Sequence, residues 1–293
     1  MTNGGVEGLV IKNYGGFYYV QDAKDIYECK LRGKIKQAVL TGDKVIFTPL
    51  EQGHGILETV QPRRNELIRP RIANVGLLLI IMANNKPAPS LSLLDSLLVN
   101  ASYNGLIPYI ILNKIDLPED ENAAIISRYY PQKGFNLIKS SVRNHIGIDS
   151  IQEVINNHIA VLAGPSGTGK SSLLNLLVEG ASIRTQDISE KIGRGRHTTR
   201  HVELYPLNSG GWIADTPGFS VLNPPDIESR QLAWHFPDFQ EFSNQCRFGD
   251  CLHYREKDCA VKEAVCENII AEFRYRNYVT LLEELIKNER CYR

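Results

Sequence analysis

The chain has 293 residues, 43% hydrophobic and 23% charged, with 23 Gly and 14 Pro, figures that exclude disordered, collagen-like and low-complexity classes. Its 33 Lys+Arg balance 33 Asp+Glu for a formal net charge of zero, which excludes a general electrostatic coat for nucleic acid. At roughly 100 to 200 residues per domain, the length suggests about two domains with room for a third small one.

The amino terminus, Met1-Thr2-Asn3-Gly4-Gly5, has neither the basic start nor the apolar stretch of a secretory signal, so a cytoplasmic location is expected. From Gly5 to about Gln61 the text is five short apolar alternations cut by turn residues: Val6 to Ile11, Gly16 to Val20, Ile26 to Leu31, Asp43 to Thr48 and Gly55 to Val60. Five short antiparallel strands without a helical period are best accommodated in a closed barrel of the oligonucleotide-binding type, because closure removes exposed edges. The expected barrel domain is 1–62. A basic linker, 63–72, follows, with four Arg against one Glu between Pro62 and Arg71.

Over 73–223 the pattern changes to apolar runs alternating with helical stretches, the signature of a parallel sheet with crossover helices. Strands are predicted over Asn74 to Ala83, Ile107 to Leu112, Phe135 to Ile138, Ile159 to Ala163, Val202 to Tyr205 and Gly211 to Asp215. Helices are predicted near Ser92 to Tyr103, Glu119 to Tyr129, Ile148 to Asn156 and Lys170 to Val178. The longest nearly uncharged apolar run, Val75 to Ala83, ends in Asn84-Asn85-Lys86 and is far shorter than the about 20 residues a membrane helix needs, so no membrane partner is expected. The last segment, 224–293, reads as a Cys/His-rich knot followed by an amphipathic helix or helix pair over Glu267 to Asn288.

Gly164-Pro165-Ser166-Gly167-Thr168-Gly169-Lys170-Ser171 matches G-x-x-x-x-G-K-[ST] and stands between a predicted strand and a predicted helix, as phosphate binding requires. Glycines let consecutive backbone N–H groups curl around phosphates, and the helix start adds its positive dipole end. Lys170 would reach the β- and γ-phosphates and Ser171 would ligate Mg²⁺, with Ser172 completing the candidate nucleotide-binding set. Asp215-Thr216-Pro217-Gly218 ends another apolar strand; Asp215 would hold the metal through water, and the Gly218 N–H can approach the γ-phosphate.

Asn113-Lys114-Ile115-Asp116 follows the strand Pro108 to Leu112. A carboxylate there accepts from guanine N1–H and its N2 amino group, donors that adenine lacks, so Asp116 discriminates by penalty as well as attraction. Asn113 would brace neighbouring loops and the base, Lys114 would lie along the ring, and Ser140-Ser141 could touch the guanine oxygen through backbone. Together these sites predict GTP/GDP and Mg²⁺ as ligands.

Cys246-x₄-Cys251-x-His253-x₅-Cys259 offers four soft or borderline ligands within 14 residues. Its spacing is consistent with a closed tetrahedral Cys₃His site for one Zn²⁺ per chain, a structural ion replacing a core too small to fold alone. Cys266 is expected to be a core or surface thiol.

Classical GTPases run phosphate loop, switch threonine, D-x-x-G and N-K-x-D, whereas this chain places Asn113 to Asp116 first, the phosphate loop next and Asp215 to Gly218 last. It therefore resembles a circularly permuted GTPase. With the preceding barrel, the switch text Gly193-Arg194-Gly195-Arg196-His197-Thr198-Thr199 and the trailing Cys/His cluster, it is similar over almost its whole length to the small-subunit-dependent ribosomal GTPase family (RsgA, YjeQ, YloQ). The resemblance implies a GTPase that binds the small ribosomal subunit and its ribosomal RNA, is activated there, and promotes late maturation; a monomer is expected. Thr198 or Thr199 would be the switch threonine that ligates Mg²⁺ and reads the γ-phosphate. Phe219 stands where classical members use a water-orienting Gln, so intrinsic hydrolysis is expected to be slow.

Overall fold

The computed structural model describes residues 5–33, 35–68, 70–178, 202–215 and 227–291, with only the backbone of Asp215 and Cys291. The five amino-terminal alternations become β1 (Val6–Tyr14), β2 (Phe17–Gln21), β3 (Ile26–Leu31), β4 (Lys44–Pro49) and β5 (His54–Val60). β1 pairs antiparallel with β2, β2 with β3 and β4 with β5, while β3 and β5 run parallel. An antiparallel β1–β4 ladder closes the ring. Alternate side chains fill it: Val10, Val20, Cys29, Val45, Phe47 and Leu57 are fully buried, as the two-residue period demands.

The basic stretch after the barrel is not merely a linker. It carries β6 (Glu66–Ile68) and β7 (Arg71–Ala73), a small antiparallel pair. Arg63 is spent inside the protein, donating from Nε and Nη2 to the buried Asp43 carboxylate at 2.7 and 2.8 Å and also pairing with Glu66. Asp43 raises its basicity against the opposing effect of burial.

Among the described residues the remaining strands and α-helices are β8 (Leu77–Ala83), α1 (Leu91–Tyr103), β9 (Ile107–Asn113), α2 (Glu121–Gln132), β10 (Asn136–Lys139), α3 (Ile148–Ile155), β11 (Ile159–Ala163), α4 (Lys170–Leu177), β12 (Glu203–Pro206) and β13 (Trp212–Asp215), followed by helices Pro237–Ser243, Ala260–Cys266 and Glu272–Cys291. The predicted strands and helices of the central region are all present, with ends shifted by three residues or fewer. Where a helix or helix pair was expected at the carboxyl end, there is a short helix and then one of 20 residues.

The chain divides into two compact units. One comprises Met1–Leu79, Ser141–Ala163 and Gly169–Phe219, and the other Ile80–Ser140, Gly164–Thr168 and Ser220–Arg293. In the first, β11 and β13 run parallel, and β12 pairs antiparallel with β13 on one side and with β1 on the other. The barrel is stitched there by a Lys12–Glu203 ion pair at 3.1 Å and by Thr41 Oγ1 donating to the Val202 carbonyl at 3.1 Å.

In the second unit the strand order is β10-β9-β8, with β9 and β10 parallel. All seven residues of β8 are buried, which explains why its sequence is a continuous apolar run rather than an alternation. The long carboxyl-terminal helix buries Arg274, Tyr278, Leu282 and Leu285, one face at helical spacing. Arg274 is 1% exposed and fully paired: it donates to Asp238 at 2.8 and 3.0 Å and to Asp95, which also accepts from Tyr130 and Asn277. Burial opposes the Asp238 charge, but Arg274 and the Tyr129 hydroxyl hold its carboxyl below the usual range. Among the described residues no helix is long and apolar enough to cross a membrane.

Candidate nucleotide site and metal cluster

The phosphate-loop sequence begins where β11 ends. Gly164 has φ +132°, and a Cβ there would lie 2.2 Å from the Ile81 carbonyl oxygen, so only glycine lets the chain leave the sheet so close to β8. Thr168 is fully buried and its hydroxyl donates to the Pro165 carbonyl at 3.1 Å, pinning the loop across itself. Gly169, at φ +98°, precedes α4, whose first residues are Lys170, Ser171 and Ser172. Burial holds the Lys170 ammonium below the ordinary lysine range, as expected of a cation in a partly dry setting that suits an anionic partner. Asp215 ends β13, the parallel neighbour of β11, so the strand leading into the phosphate loop and the strand carrying this carboxylate finish at the same sheet edge.

The Asn113-Lys114-Ile115-Asp116 segment begins at the last residue of β9. Asn113 donates through Nδ2 to the Thr168 carbonyl at 2.8 Å and accepts from the Ser140 hydroxyl at 3.3 Å. Lys114 sits at φ +64° and reaches the carbonyls of Gly167 and Lys86 at 2.6 and 2.5 Å. The residues read as guanine reader and as phosphate loop are thus joined directly through Asn113–Thr168 and Lys114–Gly167. Ser140 takes an N–H from Ile115 at 3.2 Å, and its own N–H goes to Leu112. The Ser141 N–H goes to Ile146, so both serine amides are committed within the protein and brace their loops. Thr198, Thr199 and Gly218 lie outside the described residues, as does Phe219.

Cys246, Cys251, His253 and Cys259 place one ligand atom each within 4.8 Å of one another. Cys246 Sγ lies 3.8 Å from Cys259 Sγ, and His253 Nδ1 lies 3.5 and 3.4 Å from those two sulfurs. Tetrahedral zinc, with Zn–S of about 2.3 Å and Zn–N of about 2.0 Å, has ligand–ligand edges of about 3.8 and 3.5 Å. The donor set therefore fits a zinc ion. Burial pushes the Cys251 thiol up to about 12 and raises Cys259 too, while it lowers His253 toward neutral imidazole. A divalent cation at the centre would reverse the thiol shifts and use the neutral ring as it stands.

Support for the cluster comes from residues that carry no motif. Glu256 accepts the Leu252 and Tyr254 N–H groups at 2.9 and 2.8 Å, Ser243 faces His253 Nε2 at 3.3 Å, and Tyr275 and Tyr278 donate to the carbonyls of His253 and Leu252. Spacing alone could not find them, although Tyr275 and Tyr278 fall within the amphipathic segment predicted over Glu267 to Asn288. Cys266 is exposed and outside the cluster.

Comparison with known proteins agrees with this architecture. Residues 60–224 match the family model described as RsgA GTPase, and residues 7–57 match the RsgA N-terminal domain. The chain belongs to the RsgA family of GTPases. It is 47% identical over 289 residues to the small ribosomal subunit biogenesis GTPase RsgA of Carboxydothermus hydrogenoformans, covering 97% of this chain and 99% of that protein. The protein of the same name from Moorella thermoacetica is 41% identical, covering 98% and 100%. Among solved structures, YloQ, described as a circularly permuted GTPase, superposes with a TM-score of 0.81 at 36% identity, covering 97% of this chain and 96% of the other. YjeQ from Thermotoga maritima gives 0.83 at 34%, covering 96% and 98%. The RsgA family is one of ribosome-biogenesis GTPases, so this chain with its permuted motif order and closed barrel is a GTP-hydrolysing enzyme, and the family implies GTP/GDP and Mg²⁺.

Proposed function

We propose that this chain docks on the small ribosomal subunit through its RNA, is switched on there as a GTPase, and leaves after helping the late stage of subunit maturation. The observation that carries the reading is the direct bonding of the N-K-x-D loop to the phosphate loop, Asn113 to Thr168 and Lys114 to Gly167. It supports a reading in which two motifs standing in permuted order share one nucleotide pocket; the similar structure YloQ is described as a circularly permuted GTPase.

In this reading Asp116 accepts from guanine, and Asn113, Lys114, Ser140 and Ser141 fix the loops around it. The amides of Gly164 to Ser172 cradle the phosphates, and the Lys170 ammonium neutralises charge developing on the β- and γ-oxygens. Ser171 and either Thr198 or Thr199 would hold Mg²⁺, with Asp215 acting through water, and the ion would supply positive charge against the phosphate oxygens. The Gly218 N–H meets the γ-phosphate. One Zn²⁺ held by Cys246, Cys251, His253 and Cys259 shapes the carboxyl-terminal domain and has no catalytic part, since four protein ligands leave it no open position. The domains run 1–62, 63–72, 73–223 and 224–293, and the protein acts as a cytoplasmic monomer. With Arg63 spent on Asp43, RNA contact falls to the barrel surface rather than to that arginine.

Cosedimentation tests the docking step. With a nonhydrolysable GTP analogue the protein should pellet with purified small subunits and not with large ones, and GDP should weaken the association. Equal pelleting with both subunits, or with neither, would overturn the reading.

A further inference from the structure

The apolar strand β8 ends in Asn84-Asn85-Lys86, a polar triplet that no phosphate or base motif requires. Asn84 is 4% exposed, and its bonds go to one loop. Its backbone N–H donates to the Asn113 carbonyl at 2.7 Å, its Nδ2 donates to the Leu117 carbonyl at 2.9 Å, and its carbonyl accepts the Asp120 N–H at 3.1 Å. Asn85 Nδ2 adds a bond to the Pro118 carbonyl at 3.0 Å, and the Lys86 carbonyl takes the Lys114 ammonium at 2.5 Å. The triplet thus grips the loop before and after the position of Asp116.

A grip of this kind matters because the loop carries unfavourable backbone. Lys114 occupies left-handed backbone at φ +64°, a conformation that costs a non-glycine residue of order 1 kcal/mol or more and survives only where its surroundings impose it. Leu117 N–H donates to the Lys114 carbonyl within the loop, and Ile115 N–H donates out of it to Ser140. A buried amide that donates to Leu117 fixes the residue next to Asp116, so it sets where the carboxylate stands relative to a base edge. Losing that donor takes from the half-buried Leu117 its bond to Asn84, and the loop relaxes by moving.

We propose that Asn84 is a positioning residue for guanine recognition, acting through the Leu117 carbonyl on the placement of Asp116. The proposal rests on Asp116 as the base reader, and it does not require Asn84 to touch nucleotide. Its signature is selective. GDP, with two donors for Asp116, loses most; IDP, lacking the 2-amino group, loses less; ADP, which Asp116 does not read, loses nothing.

The test is calorimetric titration of full-length wild type, Asn84→Asp, Asn84→Ala and Asp116→Asn with GDP, IDP and ADP in the presence of Mg²⁺, with the thermal midpoint of each recorded. Asn84→Asp keeps size but replaces the donor by an acceptor facing Leu117; Asn84→Ala serves if that variant fails to fold. We expect GDP affinity to fall about tenfold in the Asn84 variants, the GDP-to-IDP ratio to shrink by about threefold or more, and ADP binding to stay within twofold of wild type. An equal loss for all three nucleotides, or no change, alongside an Asp116→Asn variant that does lose guanine preference, overturns the role of Asn84 alone. If Asp116→Asn keeps its guanine preference, the base-reader assignment falls and this inference with it.

Discussion

The loop from Asn113 to Asp120 and the loop from Cys246 to Cys259 both store unfavourable backbone: Lys114 has φ +64° in the first, His253 and Asp258 have φ +55° and +52° in the second. What holds them differs. The first is fastened by amides, carbonyls and a hydroxyl of its own protein, Asn84, Ser140 and Gly167 among their owners, with no ligand needed to complete the bonds. The second converges three thiols and an imidazole on one point, with burial driving thiols toward the protonated form. If the first loop reads guanine as proposed, its pocket is preformed and ligand energy goes into affinity. A cluster of the second kind is conditional, so ligand energy goes into folding.

The sharpest way to break that contrast is to remove the metal. Chelation, or Cys251→Ser, should bring zinc content from one per chain to well below that and unfold or loosen the carboxyl-terminal domain. The loss should be large in local stability, because binding energy of structural zinc is folding energy. Guanine nucleotide affinity should change little, since its loops are fastened without the cluster. Protein purified without chelator that contains no zinc, or nucleotide affinity that collapses together with zinc content, would erase the distinction.

A change on the preformed side should leave the fold alone. Lys170→Ala is expected to lower GTP turnover by about a hundredfold or more, roughly 2.7 kcal/mol of barrier, with an unaltered melting profile. Phosphate release by this variant at the wild-type rate would mean that the phosphates sit elsewhere. A smaller change of affinity is expected from Asp116→Asn, which should shift preference from guanine toward xanthine. The amide donates to the oxygen that replaces the exocyclic amine. Competition between guanosine and xanthosine diphosphates reads the shift, and an unchanged ratio would remove the base-reading role.

The contrast also explains what is legible in the amino-acid sequence. Phosphate and guanine chemistry demand particular residues at fixed spacing, so Gly164 to Ser171 and Asn113 to Asp116 stand out in the chain by pattern alone, as do the four cysteine and histidine ligands. Barrel strands are equally legible because a half-buried strand must alternate. Residues that fasten these sites obey no local rule. Asn84 looks like the polar end of an apolar run, and Arg274 looks like any helical surface arginine until the fold brings Asp95, 179 positions away, against it. The β6–β7 pair escapes a sequence reading because three residues give too short a period to register. Arg63 reads as free basic charge because its partner, Asp43, lies 20 residues away in the barrel.

The central claim, that the small ribosomal subunit switches this GTPase on, is tested most directly by phosphate release at saturating GTP with purified small subunits, large subunits or neither. The isolated chain should turn over slowly, because Phe219 supplies no water-orienting amide. Small subunits should raise kcat at least about tenfold, roughly 1.4 kcal/mol of barrier, and large subunits should not. Deleting residues 1–61 should abolish most of the stimulation while the basal rate persists. Equal rates under all three conditions would contradict the account.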